Sequence, residues 1–110
     1  MKGIEYSQAD IAASFQEAVT DVLVDHTMLA AKNLGVGKIA MAGGVACNKG
    51  LRNKMEEACG KAGHELFYPE PIFCTDNAAM IGAAGYYEFI KGRRDGWDLN
   101  AVPGLKLGER

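Results

Sequence analysis

Apolar residues recur at steps of three, four and seven along the first third of the chain. Ile11, Phe15, Ala18, Val22, Leu29 and Ala30 share one helical face. The spacing predicts a long amphipathic helix over about Gln8 to Leu34. Ser7 stands at its N-cap position, with Asp10 three residues on to complete a capping box. Gly35 falls where a left-handed C-terminal cap is wanted. The apolar run Lys38-Ile-Ala-Met-Ala42 then reads as a buried strand, ended by Gly43 and Gly44. A second helix is expected from about Lys49 to Lys61, capped by Asn48, with Leu51, Met55 and Ala58 facing inward and Gly63 closing it. Glu65 to Tyr68 reads as a second strand, stopped by Pro69 and Pro71. A third helix is expected from Thr75 or Asp76 to about Lys91, rich in Ala and Gly and ended by Gly92. Residues 93–110 read as an irregular tail.

The order is helix, strand, helix, strand, helix, an α/β pattern. The central strand–helix–strand unit predicts a parallel pair. Two short strands bury little, and natural sheets usually have more. The segment therefore reads as the last part of a larger sheet-based domain, with Met1 not a natural start and residues 1–7 an upstream linker or added start.

Composition fits a packed fold: 110 residues, 48% hydrophobic and 24% charged. A net charge of −2 gives no general attraction to nucleic acid or an anionic membrane. No apolar run approaches the roughly 18–20 residues of a membrane span, and no signal-like segment opens the chain, so a cytoplasmic protein is expected. Cys47, Cys59 and Cys74 are odd in number and lack C-x-x-C spacing, which argues against a disulfide framework or a zinc knuckle. They read as small packing residues. His26 and His64 form no recognisable metal motif.

Two strand-to-helix junctions carry candidate chemistry. In Ala42-Gly-Gly-Val-Ala-Cys-Asn48, Gly43 and Gly44 let a ligand approach the backbone. The following helix offers unpaired N–H groups and the positive end of its dipole. Asn48 adds an amide. The junction suits a nucleotide phosphate or ribose, or it is only a tight turn with an Asn cap. It is not a Walker loop, because no Gly-Lys-Ser/Thr follows. In Cys74-Thr-Asp-Asn-Ala-Ala-Met80, Asp76 is either a metal ligand or a helix cap, and local chemistry favours the cap. In a parallel sheet both junctions lie on one edge, where ligands of open α/β sheets collect.

Asp10-Ile-Ala-Ala-Ser-Phe-Gln-Glu-Ala18, Met41-Ala-Gly-Gly-Val-Ala-Cys-Asn48 and Cys74-Thr-Asp-Asn-Ala-Ala-Met-Ile-Gly-Ala83 together resemble the C-terminal part of the TsaD family. These are the tRNA threonylcarbamoyladenosine synthases, long described as O-sialoglycoprotein endopeptidases or glycoproteases. Trp97-Asp-Leu-Asn-Ala-Val-Pro103 also resembles the family's ending, while Cys47 stands where many members have a small residue. The resemblance implies an actin-like, ribonuclease-H-like (ASKHA) fold, with residues 1–110 the closing segment of its second domain. It implies transfer of a threonylcarbamoyl group from threonylcarbamoyl-adenylate to N6 of the adenosine 3′ to the tRNA anticodon. It further implies one divalent metal ion, iron or zinc, with Asp76 as the ligand from this segment. Asn48, Gly43 and Gly44 would contact the adenine nucleotide. tRNA, the adenylate and other proteins of the threonylcarbamoyladenosine pathway are the implied partners. The family's H-x-x-x-H metal motif is absent here, so the isolated segment is expected to be inactive and, with uncovered apolar faces, to self-associate. The readings kept beside this one are a metal-dependent (glyco)protease, a non-catalytic nucleotide-binding module and, on fold alone, a sugar or acetate kinase.

Overall fold

A computed structural model of the chain describes residues 6–106. The chain divides into two compact units, Met1–Asp76 and Asn77–Arg110. The expected upstream linker over residues 1–7 and the end of the expected tail fall partly outside the described residues.

The first unit opens with α1, Gln8–Leu34. Its capping box forms as the sequence implies: the Asp10 amide donates to Ser7 Oγ at 3.1 Å, and the Ser7 amide donates back to Asp10 Oδ2 at 3.0 Å. The Ser7 hydrogen bonds lower the Asp10 pKa, which keeps the carboxylate ionised beside the positive helix end. Gly35 closes the helix at φ 65°. Strand β1, Lys38–Ala40, pairs in parallel with β2, Glu65–Phe67, in the register Lys38 to Glu65, Ile39 to Leu66 and Ala40 to Phe67. Between them run a 3-10 turn, Gly44–Cys47, and helix α2, Lys49–Ala62. A second 3-10 turn, Pro71–Phe73, follows β2. The second unit holds α3, Ala78–Ile90, and then turns without helix or strand to residue 106.

The core of the first unit joins Val24 and Ala31 of α1, Ile39 of β1, and Leu51, Met55 and Cys59 of α2. The spacing of Leu51, Met55 and Cys59 puts all three on one side of α2, as the inward face of Leu51, Met55 and Ala58 anticipated. On the outer side Lys54 Nζ reaches Asp21 at 2.5 Å and Glu17 at 2.6 Å, tying α2 to α1. The hydrogen bond to Asp21, then that to Glu17, raises the Lys54 pKa.

The stripe through Ile11, Phe15, Val22 and Leu29 is exposed, in line with the uncovered apolar face expected of the segment, while Thr20, Val24 and Ala31 are the buried positions of the helix. Alpha-helix α1 is apolar on more than one side, and α2 covers only one of them. Two sequence expectations need correction. The third helix begins at Ala78, not at Thr75 or Asp76, because Asn77 is its cap: Asn77 Oδ1 accepts from the Met80 amide at 3.0 Å. Both strands are also shorter than their apolar runs. Met41 still donates to the Phe67 carbonyl at 2.8 Å, but the backbone then turns toward the glycines.

The buried stripe predicts the ranking of two substitutions. Met55→Ala, at a position 3% exposed, leaves a cavity and is expected to cost about 2–5 kcal/mol. Phe15→Ala, at a position 71% exposed, should change stability by no more than about 0.5 kcal/mol. Denaturant midpoints of the two variants check the ranking; equal losses would contradict the packing.

Candidate functional site

Parallel pairing sends β1 and β2 out of the sheet at the same end. The glycine turn follows one strand and the proline-rich loop to Asp76 follows the other. They meet: a Cβ placed on Gly44 would lie 3.8 Å from Thr75 Cγ2. The two sequence junctions are therefore one locus at the carboxyl edge of the pair.

The glycine turn is shaped by two different needs. Gly43 has φ 89° and ψ 169°, a conformation open essentially to glycine alone. It starts the 3-10 turn by accepting from the Ala46 amide at 3.0 Å. Gly44 has no such backbone requirement, and a Cβ there meets only ordinary van der Waals contact. Gly44 is exposed, and its bare backbone is open to a ligand.

Asn48 is both cap and bridge. Its Oδ1 accepts from the Leu51 amide at 3.0 Å, and its Nδ2 donates to Gln16 Oε1 of α1 at 3.0 Å. The amide group has two N–H donors, so one remains beyond the Gln16 bond. Gly50 makes room for this pair: a Cβ at Gly50 would stand 3.2 Å from Asn48 Oδ1 and 3.3 Å from Gln16 Nε2. An open groove of about 320 Å³ borders Asn48, with Phe15, Val19, Leu23 and Val45 on its walls.

Asp76 is exposed, and its role as the α3 cap is excluded by Asn77. Among the described residues no three His, Cys, Asp or Glu side chains converge to hold a metal ion. The residues of this segment do not by themselves fit a metal. His64 precedes β2 and so lies at the opposite, amino end of the sheet, while His26 sits within α1.

Arg52, which no sequence signal singled out, links the two loops. Its guanidinium donates to the Ala46 carbonyl in the glycine turn. It also donates to the Pro69 carbonyl at 3.0 Å and to Cys74 Sγ at 3.2 Å in the second loop. The guanidinium carbon lies 4.4 Å above the Tyr68 ring. The position one helical turn after Asn48 was readable; the carbonyls it would meet were not. Cys47 reinforces the link by donating from Sγ to the Pro71 carbonyl at 3.5 Å. Its hydrogen bond with the Cys74 side chain, then burial, raises the Cys47 thiol pKa. Burial raises that of Cys59. Both thiols are held in the protonated form, which suits packing rather than nucleophilic attack.

A glycine turn and an acidic loop thus lie together at the carboxyl edge of a parallel strand pair, the edge at which the class of open α/β sheets generally binds its ligands. The chain matches the family model of TsaD, tRNA N6-adenosine threonylcarbamoyltransferase, over residues 2–83, and it belongs to that family. The tRNA N6-adenosine threonylcarbamoyltransferase of Clostridium botulinum (strain 657 / Type Ba4) is 59% identical to it over 110 residues. Those of Clostridium novyi (strain NT) and Clostridium kluyveri (strain NBRC 12016) are 56% and 51% identical. Each alignment covers 100% of this chain and 32% of the relative, so the chain spans about a third of their length.

The two glycines should separate experimentally. Gly43→Ala forces a side chain into a conformation costing roughly 1–3 kcal/mol. Gly44→Ala should leave stability within about 0.5 kcal/mol of the parent. Thermal unfolding of both variants checks this; a larger loss at Gly44 would make both glycines purely structural.

Proposed function

We propose that this chain is the closing segment of the second actin-like domain of a cytoplasmic tRNA threonylcarbamoyltransferase, ending in the tail 93–110. The full-length protein moves the threonylcarbamoyl group from threonylcarbamoyl-adenylate to N6 of the adenosine 3′ to the tRNA anticodon, in company with other proteins of that pathway. The observation that carries the reading is the meeting of the glycine turn with the Asp76 loop at one sheet edge, within a chain of this family. No helix among the described residues is long and apolar enough to cross a membrane.

In this reading Gly43 and Gly44 bring bare backbone against the adenylate. The first turn of α2 adds N–H groups without intrahelical partners and a positive dipole end, matched to a phosphate. The remaining Asn48 N–H contacts the same nucleotide, while its bonds to Leu51 and Gln16 fix the amide plane. The segment's contribution to rate is orientation: it holds the anhydride carbonyl where the adenine amine can attack it. Asp76 is the one ligand this segment supplies to a divalent ion, iron or zinc, whose other ligands come from elsewhere in the full-length protein.

Asp76→Ala tests the assignment in a full-length family protein carrying these 110 residues at the matching positions. Bound metal and transfer to tRNA are both expected to be lost, with thermal stability within a few degrees of the parent. Unchanged metal content and turnover would remove Asp76 from the site. The isolated 110-residue chain, assayed beside it, should give no product above background.

The exposed Ile11, Phe15, Val22 and Leu29 of α1, with Val45 beside the groove, support self-association of the isolated chain. Light scattering at micromolar concentration should show a dimer or larger species. A clean monomer would contradict it.

A further inference from the structure

We infer that Arg52 is a positioning residue that sets the distance between the glycine turn and the Asp76 loop. The inference rests on the transfer reading above and adds to it a residue that holds the two halves of the site together. Arg52 rises from the first turn of α2, half-buried, with one loop on each side. Its Nε donates to the Ala46 carbonyl, inside the turn that Gly43 opens. Its terminal nitrogen donates to the Pro69 carbonyl at 3.0 Å and to Cys74 Sγ at 3.2 Å, two residues before Asp76. The acceptors in the two loops are 23 and 28 residues apart in sequence, counting from Ala46 to Pro69 and to Cys74. No local turn could fix their spacing.

The chemistry requires a guanidinium. Its planar fork holds several donors in one fixed geometry, so two carbonyls and a sulfur can be met at once. The Tyr68 face beneath it, 4.4 Å away, keeps that plane from rotating. Tyr68 is itself held by its hydroxyl, which donates to Glu56 one turn further along α2. A lysine keeps the charge but is a flexible point donor and cannot span both loops. Each loop is internally braced: Asn48 donates to the Val45 carbonyl at 3.0 Å, and Phe73 to the Glu70 carbonyl at 2.9 Å. Loss of Arg52 therefore leaves each loop shaped and able to bind its own ligand, but lets one shift against the other. Cys47, at 3.5 Å from the Pro71 carbonyl, is a weaker second tie.

A shift of this kind should appear in turnover and not in binding. Misplacement of about 1 Å can cost on the order of 10²-fold in rate. The test uses the same full-length family protein, with synthetic threonylcarbamoyl-adenylate and tRNA as substrates. Arg52→Lys is the main variant, since Arg52→Ala risks loss of folding. Arg52→Lys is expected to lower kcat by on the order of 10²-fold, with KM for the adenylate within about twofold and the unfolding midpoint close to the parent. Millimolar guanidinium should restore part of the turnover of Arg52→Ala if that variant folds. An unchanged kcat in Arg52→Lys, while the parent transfers normally, would overturn the positioning role and leave the transfer reading standing. A fall in kcat matched by a fall in unfolding midpoint would overturn it too, making Arg52 structural. A parent protein without transfer activity would overturn the transfer reading and this inference with it.

Discussion

Parallel pairing of β1 with β2 is the constraint from which the rest follows. An antiparallel pair would place the glycine turn and the Asp76 loop at opposite ends of the sheet. In the parallel register, with Ala40 opposite Phe67, both loops leave the same edge within contact of each other. Helix α2 is the crossover that makes this pairing possible, and its first turn points at the edge it creates. The same helix thus supplies the cap residue Asn48, the dipole end and the Arg52 link. Fold and site are built from one strand–helix–strand unit.

The unit covers only part of its own apolar surface. Helix α1 buries Thr20, Val24 and Ala31 and leaves Ile11, Phe15, Val22 and Leu29 exposed. A helix apolar on several sides belongs inside a larger body. That agrees with a chain spanning 32% of the relatives it aligns with from end to end. Among the described residues no three His, Cys, Asp or Glu side chains converge to hold a metal ion.

Local chemistry was the most legible layer of the sequence. Ser7 with Asp10, Gly35, Asn48 and Gly63 mark helix ends because caps involve neighbours three or four residues away. The parallel pair was legible from the order of elements. The buried side of α1 was not, because a helix with two apolar stripes does not state which one its partner covers. Asp76 was misread locally as the favoured cap because Asp and Asn stand side by side, and only geometry shows that Asn77 caps the helix. Arg52, Gln16 and Gly50 were invisible for a common reason. Each acts on groups distant in sequence, and an arginine, a glutamine and a helical glycine carry no pattern that names a distant partner. The three family-like motifs were readable as words, but their meeting at one edge is a property of the folded chain.

The central claim is that this edge holds the nucleotide end of the substrate. Amide hydrogen exchange tests it most directly, in the full-length family protein carrying this segment, with and without a non-reactive analogue of threonylcarbamoyl-adenylate. The account predicts slower exchange on binding at the backbone amides of residues 43–50, with little change at His64 and Glu65 on the opposite end of the strands. Protection elsewhere in the protein with residues 43–50 unaltered would contradict it.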